Sequence, residues 1–529
     1  KTKIGREITI APVYENTDSE TTFNWTIDGK SICTASTLTF SADEAGRYFI
    51  LISATNAGGT TEKEIRIDVF QLDIPTISIA DANKGFKVLQ GSELTITPIV
   101  DSFLETNYSW QINGEDISNE LTCTLPTIEL GEYQVRFATH NEDGDDEVTF
   151  KVEVCSPDQV DFNWTFLQTE YNMSAGRTIR IKPVDVNNAL DAVYTWTVDN
   201  EQVQSGENDT YLFTSEQQGE HTVKVEMKNS YILATQTLKV NVCPPAGTYQ
   251  RKISATSSAS MNKVYEYLPA PGQFINENHN TTTMAEACTY AEERINQTAY
   301  VSLGGFGGYI IVGFDHSIVN DGDYNIAITG NAFDGSSEPG IVWVMQDENG
   351  DGLPNDTWYE LRGSEYGKAE AWQDYAVTYH KPTGIQLPTP WTDNHGQSGS
   401  IDYLGAFHRQ DYYYPAWVKE KQYTLRGTRL KERNYDQSGN GTYWVNDSYE
   451  WGYADNFSAI DRLTDDDNYN AGPSDNHFKI SHAVTFDGKD ANLKYVDFIK
   501  VQVGVNSKSG WLGEISTEVF GIKDFNMLE

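Results

Sequence analysis

The chain has 529 residues, with 38 Lys plus Arg against 77 Asp plus Glu and a formal net charge of −39. A field of that sign repels nucleic acid and anionic lipid, so neither is an expected partner. With 38% hydrophobic and 12% aromatic residues, the chain fills several cores rather than remaining disordered. Its length allows roughly three to five domains.

The sequence opens at Lys1, almost inside the strand pattern Gly5-Arg6-Glu7-Ile8-Thr9-Ile10. That start reads as a trimmed segment whose export signal has been removed. No apolar run approaches the ~20 residues of a membrane helix. The five cysteines are Cys33, Cys123, Cys155, Cys243 and Cys288. An odd count, wide spacing and the lack of a CxxC pair argue against a disulfide framework and a zinc site, leaving structural thiols.

Residues 1–245 are organised by an internal repeat. Gly5, Gly91 and Gly176 each open a short strand that ends at Pro12, Pro98 and Pro183. Trp25, Trp110 and Trp196 follow, each leading into an Asp-Gly, Asn-Gly or Asp-Asn turn. Gly46, Gly131 and Gly219 each precede an asparagine by ten residues, at Asn56, Asn141 and Asn229. After Gly131, Tyr133, Val135 and Phe137 alternate with polar residues, the period of a half-buried strand. The turns suit hairpins, and one mid-strand Trp per copy suits a plug between two sheets.

These W-x-x-D/N-G and G-x-Y-x-V…N-x-x-G patterns resemble the PKD family of immunoglobulin-like domains. The resemblance implies an all-β chain of three tandem PKD/immunoglobulin-like β-sandwiches at 1–70, 71–157 and 158–245. Copy 1 reads as lacking its first strand. Copy 3 departs from the family pattern at His221, where tyrosine is preferred, and at Ser230-Tyr231, where a glycine turn is expected. With no clustered ligating groups, the copies read as spacers. Residues 246–529 carry no such repeat and read as one larger unit of strands and long polar loops with one helix. That helix starts at Thr283-Met-Ala-Glu286, a capping box followed by Met284, Ala287, Ala291 and Ile295 on one face. The run Gly304-Gly-Phe-Gly-Gly308 lacks the Lys-Ser/Thr of a phosphate loop and reads as close strand packing.

In 341-IVWVMQDENGDGLPNDTWYEL-361, oxygen donors fall at alternate positions, Asp347, Asn349 and Asp351, before Gly352. The flanks read as strands, and Trp358 stands where an EF-hand needs glutamate. The stretch therefore reads as a single structural calcium site in a β-hairpin. Its expected donors are Asp347, Asn349, Asp351, the Leu353 carbonyl and Asp356, with Asn355 or Glu360 as other closing oxygens.

Residues 391–457 concentrate aromatic side chains among amides and carboxylates, a composition suited to a broad ligand with apolar faces and a polar edge. Candidate contacts are Trp391, His408, Arg409, Gln410, Tyr412, Tyr413, Tyr414, Trp417, Asn440, Tyr443, Trp444, Asn446 and Trp451. In a strand, Tyr412 and Tyr414 would share one face and Tyr413 the other. The glycine loops around Phe306 and Ser336 are the next candidates. No HExxH, GxSxG, P-loop or SxxK motif is present, and the chain reads as a binding protein rather than an enzyme.

The stretches SLGGFGGYIIVGFD, NAFDGSSEPGIVWVMQDENGDGLPNDTWYEL, YYYPAW and VDFIKVQVGV…GEISTEVFG resemble Bacteroidetes surface lipoproteins with PKD-like repeats, among them the BtuH-type cobalamin-binding proteins. The resemblance implies a jelly-roll-like β-sandwich over 246–529 and a lipid-anchored monomer on the outer leaflet of the outer membrane. It would capture cobalamin or a related corrinoid as ligand for a TonB-dependent transporter. A carbohydrate-binding or adhesive surface protein is the alternative, and a glycan-active enzyme the third.

Overall fold

The computed structural model describes all residues except 80–81, 103, 128, 160–162, 188, 190, 230–231, 278, 464–472 and 529. Ser230-Tyr231 therefore lies outside the described residues. The described chain is almost entirely β-structure. Each repeat is a sandwich of one five-stranded sheet and one or two short two-stranded sheets.

The three copies share their internal devices. Trp25, Trp110 and Trp196 are fully buried between the sheets. Gly5, Gly91 and Gly176 have φ of 70°, 81° and 82°, a region that favours glycine. Each N–H reaches across to the opposing chain, at Ala42, Thr127 and Ser215. Asn56, Asn141 and Asn229 accept backbone N–H groups two or three residues ahead and close the hairpin turns. Tyr48 and Tyr133 donate their hydroxyls to the carbonyls four residues upstream, Glu44 and Glu129. His221 makes the corresponding contact to the Gln217 carbonyl at 3.0 Å, so the departure in copy 3 preserves the bond.

Copy 1 opens with Thr2–Lys3, which pairs in parallel with Val69 and Phe70, as Phe86–Leu89 and Glu170–Ser174 pair with the last strands of the other copies. Copy 2 has an earlier strand, Thr76–Ser78, paired with Ile99–Asp101, and copy 3 an earlier bridge from Thr165 to Val184; among the described residues copy 1 has no counterpart of these. All five cysteines are free.

Residues 246–529 build a larger β-domain around a six-stranded antiparallel sheet. Its inner strands, Tyr309–Val319, Gly340–Met345 and Tyr495–Val503, are buried almost throughout. Val342 and Val344 face the main core, while Ile341 and the partly buried Trp343 face a second cluster with Tyr449 and Tyr453. The helix spans Met284–Asn296, its capping box is formed, and Ala287, Ala291 and Ile295 face the core. The Gly304–Gly308 run packs closely: a Cβ on Gly308 would lie 1.8 Å from the Leu303 carbonyl oxygen. Phe306 is core, edge-on to Tyr375.

The repeats touch one another and the C-terminal domain. Lys3 and Arg6 of copy 1 both bind Asp143 of copy 2. Copy 2 touches the C-terminal domain, where Thr97 bridges to Gln397 and Ile99 approaches Gly399. Copy 3 lies on the Asp347 loop and on Asp374.

Candidate functional site

The acidic hairpin loop joins the strands Gly340–Met345 and Trp358–Leu361. Asp347 accepts the Gly350 and Gly352 N–H groups, at 2.7 and 3.1 Å. Asn349 and Asn355 both donate amide N–H groups to Asp351 Oδ2. The Leu353 N–H goes to Asp351 Oδ1. Asp347, Asn349, Asp351 and Asn355 thus share one tight turn. Asp356 is set differently: it is buried, one oxygen takes the Glu348 N–H, and the other has no hydrogen-bond partner. Burial pushes its carboxyl up to about 8. Glu360 binds Thr428 in the interior instead. The loop also docks copy 3, since Ser174 donates to Glu348, Arg177 lies 3.4 Å from Glu348, and Asn172 reaches Asn355.

Most of the aromatic zone is core. Residues 404–421 form an irregular segment without strand, so the expected alternation of Tyr412, Tyr413 and Tyr414 does not apply. Tyr413, Tyr414 and Trp417 are buried in the main core, and Tyr412 packs against it. Tyr414 donates to the Glu420 carbonyl and Trp417 to the Tyr267 carbonyl. Gln410 spends its amide on the Gln273 and Ile275 carbonyls. His408 is paired with Glu277 at 2.6 Å, edge-on to Phe274. Trp391 lines a crevice against copy 2. Trp451 packs on His482, away from the rest. Asn446 is buried and accepts the Ser509 hydroxyl. These side chains are held by packing and hydrogen bonds within the protein.

Of the predicted contacts, Arg409, Asn440 and Tyr443 stand exposed. Tyr443 is 60% exposed and sits beside Trp444, whose indole lies against Gly510, where a Cβ would fall 2.2 Å from its Nε1. Gly510 begins the turn Gly510–Leu512. There Trp511 stands 50% exposed and meets Phe407, 66% exposed, with ring centroids 6.2 Å apart and planes tilted by 42°. Leu512 is exposed beside them. The loops are tied together below: Asn434 donates to the Lys508 carbonyl, and the Asn446 N–H to the Gly335 carbonyl. Ser336 bridges to Asn446, which brings the Ser336 loop to this end. The result is a small apolar shelf in solvent built on Phe407, Trp511 and Leu512. Sequence reading missed Phe407, Trp511 and Leu512. The available signal was a Trp-Leu pair isolated in the Gly- and Ser-rich stretch 505-VNSKSGWLGE-514.

A cleft of about 590 Å³ separates copy 3 from the C-terminal domain, lined by Arg180, Lys182, Asp374, Arg426 and Lys500 among others. Its walls largely satisfy one another: Arg180 and Lys182 bind Asp374, and Arg426 binds Asp185. Burial lowers Lys500 to about 8, with its amine over the Tyr309 ring. We read this as a charged seam between domains.

Residues 1–56, 74–141 and 146–229 match the family model for the PKD-like domain. No curated protein matches the chain. Among solved structures, three N-terminal domains of the bacteriophage RB49 highly immunogenic outer capsid protein are 15% identical with a TM-score of 0.22, covering 46% of this chain and 95% of that one. The titin I-band fragment I67–I69 is 14% identical with a TM-score of 0.21, over 46% and 95%. A Bacteroides ovatus surface protein, SGBP-B of the mixed-linkage glucan utilization locus, in complex with a mixed-linkage heptasaccharide, is 12% identical with a TM-score of 0.16, over 94% and 93%. The family match places three PKD-like domains within residues 1–229, each folded as a β-sandwich, and the larger β-domain follows. Among the described residues no helix is long and apolar enough to cross a membrane.

Proposed function

We propose that this protein is a cell-surface binding protein that captures cobalamin or a related corrinoid. It would present the ligand to a TonB-dependent transporter while held by a lipid anchor at the outer leaflet of the outer membrane. The observation that carries this reading is the solvent-exposed pair Phe407 and Trp511, with the exposed Leu512 next in the chain. Large apolar rings left in water do no work for the fold, and a clustered set of them marks a binding surface. A corrin ring offers a wide apolar face with amide arms at its edge. The tilted rings complement that face. Calcium in the Asp347 loop serves a structural role, fixing the hairpin against copy 3.

The test is to mix the full chain with cyanocobalamin, desalt it and record the visible spectrum. A corrinoid band co-eluting at about one per chain is expected, and protein without the band would overturn the reading. A second reading rests on the same Trp511: an exposed indole also stacks on the apolar face of a sugar. A panel of oligosaccharides titrated in parallel separates the two.

A further inference from the structure

Away from the acidic hairpin, three more carboxylates converge. Glu338, Asp455 and Glu518 each bring an oxygen within 4.8 Å of the others. Asp455 and Glu518 are buried. Asp455 Oδ1 accepts the Asn331 and Ala332 N–H groups, and its Oδ2 accepts the Glu518 N–H. Gly330 makes room for it, since a Cβ there would fall 2.5 Å from Asp455 Oδ1. No basic side chain among the described residues pairs with any of the three. Burial holds all three carboxyls above their usual range, so three negative charges here are costly without a counter-charge.

One further observation points to what supplies it. Glu518 is only 3% exposed, yet its Oε1 has no hydrogen-bond partner. The Asn331 side-chain amide lies beside the cluster and donates its N–H groups to the Asp455 carboxylate at 3.0 and 3.3 Å. Oxygens bound at 2.3–2.6 Å to one calcium ion lie roughly 3 Å from each other.

We propose that Glu338, Asp455 and Glu518 form a second divalent-cation site that takes calcium. All three donors are hard carboxylate oxygens, a set calcium takes. The ion ties the loop 331–338 to the end of the chain at Glu518. That loop also pairs with Asn446 beside the aromatic shelf. The site shares no residue with the Asp347 hairpin or with the shelf, so it stands or falls independently of both.

The experiment uses the full chain carrying Asp351→Ala, which disables the hairpin, stripped with chelator and titrated with calcium chloride alone. Calorimetry should find one ion per chain, and the melting temperature should rise on addition. In the same background, Glu338→Gln with Glu518→Gln should lose the ion. Its calcium-free melting temperature should be equal or higher, because two unbalanced buried charges are gone. Failure of the Asp351→Ala chain to bind calcium at concentrations on the order of 10 mM, above the ~10⁻³ M dissociation constants of weak extracellular sites, overturns the proposal and leaves a shared proton as the counter-charge. Unchanged calcium binding in the double Gln variant overturns it equally.

Discussion

Tyr413 holds Phe407 in position. The buried Tyr413 hydroxyl accepts the Leu404 N–H and donates to the His408 carbonyl, each at 3.0 Å. It thereby closes the short turn that raises Phe407 into solvent. Tyr413→Phe keeps the ring in the core and removes both bonds, which at ~1 kcal/mol each loosen the turn. We expect ligand affinity to fall several-fold and the melting temperature to drop by only a few degrees. Tyr413→Ala should cost ~3–5 kcal/mol, as other buried aromatic truncations do. Melting and titration of the two variants check the split; equal affinity in Tyr413→Phe and parent would separate Tyr413 from the shelf.

Gly510 is the second support. Its φ is 53° and a Cβ would meet Trp444 Nε1 at 2.2 Å. Gly510→Ala adds backbone strain of ~1–3 kcal/mol and displaces the indole. The variant should lose affinity together with Tyr443 and Trp511 order, seen as a shift in tryptophan emission. Parent-like emission and affinity would contradict the packing described.

The repeats and the helix were legible because their signals are local: one Trp, one glycine and one asparagine at fixed spacing, and a capping box at Thr283. The shelf was not. Aromatic density in 391–457 takes in Phe407 but not Trp511, burial is decided by tertiary packing, and the irregular segment around Tyr412–Tyr414 carries no period that sorts inside from outside. Phe407 and Trp511 come from loops far apart in sequence, as do Glu338, Asp455 and Glu518. No short-range pattern brings such residues together.

Calcium in the hairpin predicts a selective effect of chelation. At a hundredfold excess over the dissociation constant, bound calcium stabilises by ~2.7 kcal/mol. Asp351→Ala should remove that increment from the C-terminal transition. Because Asn172, Ser174 and Arg177 of copy 3 touch the same loop, chelation should also raise proteolysis at the 243–250 junction. A chelator response unchanged by Asp351→Ala would make the hairpin an ordinary turn.

His221 gives repeat 3 a pH dependence that the tyrosine-bearing copies lack. Its hydrogen bond to the Gln217 carbonyl raises its pKa, opposed by burial and supported by the contact to Asp199. The contribution is fully present below the ordinary histidine value of about 6.5 and is lost as pH rises through the higher folded value. Thermal melting of the full chain from about pH 6 to 9 should show repeat 3 weakening across that window. His221→Tyr, which retains the carbonyl bond, should flatten the curve. An unchanged curve in the variant would place the dependence elsewhere.

The central claim is that the exposed rings bind a corrinoid. The direct measurement is calorimetric titration of cyanocobalamin into the parent, Trp511→Ala and Phe407→Ala, with Arg426→Ala in the interdomain seam as control. Truncating a contacting ring at a hot spot costs ~2 kcal/mol or more, roughly thirtyfold in dissociation constant. The account predicts that loss in both shelf variants, with melting temperatures unchanged, and parent-like binding in Arg426→Ala. Parent-like binding in Trp511→Ala and Phe407→Ala, or a loss confined to Arg426→Ala, would contradict it.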